Sequence, residues 1–426
     1  MDSSRSAEVP EVGDKGWPAL IKNLRVTDKQ GRTLEVVPAG EEGWKLKTPY
    51  KGTLSVAYEV DYSGPQASNW PAPRETAFAD ANHFLFVGRS AFITTPKHER
   101  TDVRFSLPAG WHAVAPWRDS PGGFTADSVR DLVENLIVLS KAPTETVSAG
   151  GFTVAITLMG HWQNVRKDVL KVLHGVIPQY VRMMGYRPND KYSVVLLPVI
   201  DEGGEAYRAS FAFNVTEPPT AAARGSWGHT IAHEIFHYWN GYRLRGADYA
   251  SSQWFQEGFT DYTADVVMVG SGLIGERDAR GQIDRQIARY RKLATPLAKP
   301  GTHKGPPLYG GGALVALSWD IQIRNATGGR RGLADLWKAM WRQTRQGKDP
   351  YAWPVVRSSL NEVAGLDWDE FYRKYVDGTD KLPLDEMLGL AGLRLVRAAD
   401  GSEHVETDDL ASKKAASIGR SLGLRK

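Results

Sequence analysis

The chain has no cysteine in 426 residues, which excludes disulfides and thiolate metal sites and leaves His, Asp and Glu as the strong ligands available. It also lacks any run approaching the ~18 consecutive apolar residues of a membrane-crossing helix. Charge of neither sign dominates: 53 Lys and Arg against 49 Asp and Glu give a formal charge of +4. With no long basic block either, nucleic acid is not an expected partner. The opening MDSSRSAEVPEVGDKG lacks the basic-then-apolar layout of a signal peptide. The chain as written therefore reads as cytoplasmic, or as periplasmic or secreted if a leader has been removed; its oligomeric state is not legible. Histidine is scarce as well, at ten residues, so their positions carry information.

What remains is ordinary globular chemistry, 42% hydrophobic and 24% charged, in a chain long enough for roughly two to four domains. The first 160 or so residues read as β. Leu54, Val56, Tyr58 and Val60, then Val154, Ile156 and Leu158, alternate with period two between turns rich in Gly, Pro, Asn and Asp. From Val169 to Val181 the apolar spacing becomes that of an amphipathic helix, in which Pro178 is expected to produce a kink. After residue 275 the pattern is mainly helical, with Leu314, Leu317 and Ile321 on one face. The expected organisation is α+β and multidomain: an N-terminal antiparallel β-sandwich-like domain over 1–158, a second domain over 159–275, an α-helical domain over 276–396, and a frayed polar tail over 397–426.

The stretch GSWGHTIAHEIFHYWNGYRL, residues 225–244, places His229, His233 and His237 at steps of four, with Glu234 after the middle one. Residues four apart on a helix differ by roughly 40° in azimuth and about 6 Å in height, so His233 and His237 can aim at one ion. Glu234 stands about 100° round from His233, placed to take a proton from a water at that ion rather than to ligate it. This is the mechanical content of H-E-x-x-H. His229 lies a turn away and is expected to be a helix-start or packing histidine.

A catalytic zinc needs a third protein ligand and an open position. Arg243 stands six residues after the second histidine, where the metzincin pattern has its third histidine, so that class is excluded. The other standard donor is a glutamate on a following helix. Glu257 in SSQWFQEGFTDYTADV, separated from His237 by residues 238–256, meets that requirement. Asp261, one turn beyond, can reach back to fix the tautomer of a ligating histidine.

The segments HEIFHYWNGYRLR, WFQEGFTDY, LYGGGALVALSWDIQIRNATGG and FYRKYVDGTDKLPLDEMLGLAGL together resemble the glycyl aminopeptidase family of zinc metallopeptidases, in the gluzincin group with thermolysin and aminopeptidase N. The likeness extends more weakly through NHFLFVGRSAFI and LPAGWHAVAPW, and so spans most of residues 50–395. It implies a thermolysin-like catalytic domain and one zinc held by His233, His237 and Glu257. It also implies Glu234 as general base, Tyr309 as oxyanion-stabilising phenol, and a peptide substrate cleaved from its amino terminus, with small residues such as Gly or Ala released.

The chain departs from that family in three respects. The stretch between the second histidine and the glutamate is short, and the tail after Leu393 has no room for the PDZ domain that many members carry. The third departure bears on specificity. The family's Gly-Gly-Leu-Glu-His-Arg-Asn-Ser segment, whose glutamate is expected to meet the substrate amine, aligns with GGEAYRAS, residues 203–210, so that Ala206 and Tyr207 replace glutamate and histidine. Glu205 or Glu202 then becomes the candidate amine partner, and Arg208 a further candidate substrate-binding residue. A metalloendopeptidase with an open cleft stands as the alternative, and a zinc-stabilised peptide-binding module as a third, against which the intact Glu234 argues.

Overall fold

In this computed structural model the described residues are 16–40, 43–64, 76–95, 100–185, 191–198, 203–215, 217–299 and 305–426. They fall into two compact units. The first takes the described residues of 1–146, 153–163 and 190–218, and the second those of 147–152, 164–189 and 219–426.

The first unit is built from short antiparallel strands. The strand His83–Val87 pairs with Leu136–Ser140, which in turn pairs with His112–Val114. The period-two alternation sends Leu85, Val87, Leu136 and Val138 into one apolar cluster, with Val195 and Leu197, and sends Phe86 and Ile137 into another with Val103 and Trp117. These central strands are therefore apolar on both faces and lie between two apolar clusters, whereas a two-sheet sandwich needs only one inner face per sheet. The strand Leu54–Val60 forms in antiparallel register with Ile21–Asp28, yet Leu54 and Val56 remain 38% and 41% exposed. Its alternation marks a strand without marking a buried face.

A mixed five-stranded sheet follows. Phe152–Leu158 runs parallel to Lys191–Leu196, that strand parallel to Ser210–Asn214, and Gly203–Ala206 closes the edge antiparallel. A parallel pair needs a crossover of a dozen residues or more, and here the connection contains helix α1, Arg166–Met184, which runs through Pro178.

The second unit is helical. α2 spans Arg224–Phe236, α3 Tyr249–Gly270, α4 Glu276–Tyr290 and α5 Pro306–Thr327. Its core is dense in aromatics: Trp254, Phe255, Phe259, Trp319 and Trp337 meet edge to face or stacked. Leu314, Leu317 and Ile321 are buried as expected, but so is nearly every residue of α5 between Leu308 and Ile323.

The tail does not fray. Leu393–Arg397 and Glu403–Thr407 form an antiparallel hairpin, and Lys413–Ser421 a helix whose Ala415, Ala416 and Ile418 are buried. Val405 donates its backbone N–H to Asp284 Oδ1 at 2.7 Å, and Arg280 donates to the Leu424 carbonyl at 2.6 Å. Small alanines at helical spacing give this segment an apolar stripe that its overall polarity conceals. Among the described residues no helix is long and apolar enough to cross a membrane.

Candidate metal centre

α2 and α3 each place a side chain on a common stripe every fourth residue. On α2 these are His229 and His233, with His237 at the helix end; on α3 they are Glu257, Asp261 and Asp265. The two rows meet in opposite order, as a ladder of imidazoles against carboxylates.

At one end of the ladder three donor atoms converge. His233 Nε2 and His237 Nε2 are 3.0 Å apart, and each lies 3.4 Å from Glu257 Oε2. Ligands held ~2.0–2.2 Å from a tetrahedral ion stand roughly 3.3–3.6 Å from one another, so the two spacings to Glu257 match such an ion and the one between the imidazoles is a few tenths of an ångström short of it. The outer nitrogens are already engaged. His233 Nδ1 donates to Asp261 Oδ1 at 2.8 Å, and His237 Nδ1 to the Asn240 carbonyl at 3.0 Å. Acceptors at both Nδ1 positions keep Nδ1 protonated and turn both Nε2 lone pairs inward. Two lone pairs and a carboxylate oxygen have nothing to give one another, and the set fits a cation shared by all three.

The electrostatics agree. Burial alone would raise the Glu257 and Asp261 carboxyls, but the imidazoles of His237 and His233 pull Glu257, and those of His233 and His229 pull Asp261, far below the usual carboxylate range. Burial likewise opposes charging of His233 and His237, and Asp261 and Glu257 outweigh it. Positive charge between these groups is favoured, and a divalent cation can take the place of the protons. Glu234, half-buried beside both imidazoles, has its carboxyl raised by burial, with His233 and His237 opposing. A carboxyl moved toward neutral pH suits a proton carrier.

The scaffold holds these groups by specific devices. Asn240, fully buried in the turn after α2, donates through Nδ2 to the Phe255 and Gln256 carbonyls and to Thr260 Oγ1. That turn carries His237, so the bonds couple it to the segment of α3 bearing Glu257. Gly241 follows at φ 126°, a conformation that side chains rarely adopt. α3 and α5 approach at Gly258 and Gly312, where a Cβ on Gly258 would lie 2.3 Å from Gly312 Cα. The close approach brings Tyr309, near the start of α5, over the centre. Its ring lies nearly parallel to that of His233, 12° between planes with centroids 6.2 Å apart. Burial raises the phenol pKa, and the carboxylates of Glu257, Glu234 and Asp261 raise it further, so Tyr309 stays a hydrogen-bond donor.

The structure thus brings His233, His237, Glu257, Asp261 and Tyr309 together in the second unit. His229 is neither a helix start nor an apolar packing residue. Its Nε2 lies 3.2 Å from Asp261 Oδ1 and its Nδ1 2.9 Å from Asp265 Oδ1. Asp265, buried and absent from the sequence reading, could have been found from the fourfold spacing of acids in EGFTDYTAD. Glu205 and Arg208 lie in the first unit. Glu205 is half-buried in the edge strand opposite Ala212. Arg208 forms an ion pair with Asp131, and Tyr207 is buried in that unit's core. Glu202 falls outside the described residues.

The model of the M61 glycyl aminopeptidase family matches residues 227–300, and the model of its N-terminal domain matches residues 16–141. No curated protein sequence matches the chain. Among solved structures, an aminopeptidase N family protein from Idiomarina loihiensis shares 19% identity over 89% of this chain and 72% of its own, with a TM-score of 0.74. An M1 zinc metallopeptidase from Deinococcus radiodurans, bound in a substituted form to Tyr-Ser-Ala, shares 16% identity over 85% of each chain at a TM-score of 0.52.

Proposed function

We propose that this chain, which matches the two M61 glycyl aminopeptidase models, is a zinc metallopeptidase that holds one zinc ion through His233, His237 and Glu257 and removes small amino-terminal residues, such as Gly or Ala, from peptides. The observation that carries this reading is the convergence of the two Nε2 atoms and Glu257 Oε2 within 3.0–3.4 Å of one another, beside Glu234.

When bound, zinc supplies Lewis-acid chemistry, acidifying a water and drawing electron density from the scissile carbonyl. The residues of the chain do the rest. Glu234 accepts the proton of the attacking water and returns it to the departing amine. Tyr309 donates its phenolic hydrogen to the oxyanion that develops on the carbonyl. Asp261 and the Asn240 carbonyl hold the two imidazoles in their tautomers throughout.

The release of amino-terminal residues is supported by the family that the chain matches. Metalloendopeptidase action is the second reading, favoured by Ala206 at the position where the resemblance implies an amine-binding glutamate. Cleavage of matched peptides with free and with acetylated amino termini separates the two. An aminopeptidase cuts only the free form, whereas an endopeptidase cuts both at internal bonds.

A further inference from the structure

The ladder between α2 and α3 continues past the three converging donors. Asp261, which holds His233 through Nδ1, meets more than that one group. His229 Nε2 stands 3.2 Å from its Oδ1. Gln286 Nε2 donates to Oδ2 at 3.2 Å, and Arg289 Nη1 lies 3.7 Å from the same oxygen. His229 in turn lies against Asp265. We propose that His229 and Asp265 are positioning residues of the metal centre: they fix the Asp261 carboxylate, and through it the tautomer and ring orientation of His233.

A carboxylate has about four lone-pair sites, and Asp261 is buried, so each unfilled site would leave it free to rotate or oblige it to bond elsewhere. His233 takes one site on Oδ1 and His229 the other, while α4 supplies Gln286 and Arg289 to Oδ2. Three hydrogen bonds and a longer ion pair to Arg289 thereby hold the carboxylate, with its Oδ1 toward His233. The second aspartate has a separate task. Asp265 Oδ1 stands 2.9 Å from Nδ1 as an ion-pair partner and so favours the doubly protonated His229 imidazole, the form in which Nε2 donates to Asp261. Burial disfavours that charge, but Asp265 and Asp261 prevail and raise the His229 pKa to about 9. Without Asp265 the neutral ring could place its single hydrogen on Nδ1 and turn a lone pair toward Asp261, a repulsive contact.

This inference rests on the assignment of His233, His237 and Glu257 as the zinc set. Its test is the zinc affinity and release rate of the full-length protein, measured by competition with a chromophoric chelator, together with the melting temperature of the metal-free form. Removal of a group that orients a ligand costs about 10–100-fold in metal affinity. His229→Ala should therefore bind zinc about tenfold more weakly and release it faster, beyond any lowering of metal-free melting that the loss of its buried ion pairs brings. His229→Gln, whose amide can still donate to Asp261, should recover part of the loss, and Asp265→Asn should weaken zinc in the same direction. Equal affinity and release in wild type, His229→Ala and Asp265→Asn would overturn the proposal. So would a lower melting temperature with unchanged affinity, which assigns His229 to packing alone. Should His229→Ala fail to fold, His229→Gln and Asp265→Asn carry the same comparison. A wild-type protein that binds no zinc would overturn the zinc assignment itself and this inference with it.

Discussion

His233 Nδ1 and Asp261 Oδ1 stand 2.8 Å apart, and that contact decides which nitrogen of His233 faces the centre. An ionised carboxylate only accepts, so the hydrogen resides on Nδ1 and the Nε2 lone pair points at His237 and Glu257. The same logic holds at His237 through the Asn240 carbonyl.

The first prediction concerns metal content. The purified protein should carry about one zinc per chain, as a three-ligand site with an open position requires. A chelator should abolish peptidase activity, and zinc should restore it. Full activity in a protein shown by elemental analysis to hold no transition metal would defeat the assignment.

Substitutions at Glu234 and Tyr309 separate chemistry from metal binding. Glu234→Gln should retain zinc and fold but lose on the order of 10²–10⁴ in kcat, because the amide cannot accept the water's proton. Tyr309→Phe should lose on the order of 10²-fold, one oxyanion donor having gone. Steady-state kinetics with zinc content measured alongside is the check. Wild-type turnover in either variant removes that residue from its role.

Exopeptidase specificity can be tested at Glu205. An aminopeptidase has to hold a cationic amine, and a buried ammonium without a carboxylate partner is costly. With Ala206 in the family's glutamate position, Glu205 is the nearest acid in the aligned segment. Glu205→Ala should raise KM for glycyl or alanyl anilides with a smaller effect on kcat. If the variant matches wild type and acetylated peptides are cut internally as fast as free ones, the endopeptidase reading replaces the aminopeptidase one.

The approach of α3 to α5 offers a structural test. Gly258→Ala would force a methyl group to within 2.3 Å of Gly312 Cα. Overpacking of this kind costs about 1–3 kcal/mol, and here it pushes apart the helices that carry Glu257 and Tyr309. Thermal unfolding should show the lost stability, and turnover should fall with it. An unchanged melting temperature would mean that the helices tolerate the extra atom.

Acid should loosen the docked hairpin. The Glu403 carboxyl is held below its ordinary value of 4.5, first by the hydrogen bond from Arg291. A carboxyl with a depressed folded pKa stabilises the folded state above its unfolded value, and that contribution disappears as the pH falls through the folded value. Melting temperatures should therefore drop below about pH 4.5, and Glu403→Gln should flatten that part of the profile while lowering stability at neutral pH. A profile of the same shape in the variant would assign the acid sensitivity elsewhere.

Much of the centre could be read without coordinates, because its logic is local. His233 and His237 share a face through the pitch of one helix, Glu234 lies a third of a turn round, and Asp261 follows Glu257 by one turn. Strand alternation at Val154, Ile156 and Leu158 and the helical periods after residue 275 were equally legible, since each depends on neighbours in sequence. Tertiary structure alone decided the rest. The antiparallel match of α2 with α3 set His229 between Asp261 and Asp265, and it delivered Gln286 and Arg289 from α4 to the same carboxylate. The meeting of Gly258 with Gly312 brought Tyr309 over His233. The tail, whose polar composition suggested fraying, became a hairpin and helix because Asp284, Arg291 and Arg280 on and just after α4 offer it partners. Local periodicity specifies which residues share a face of one helix; which face meets which is a property of long-range packing.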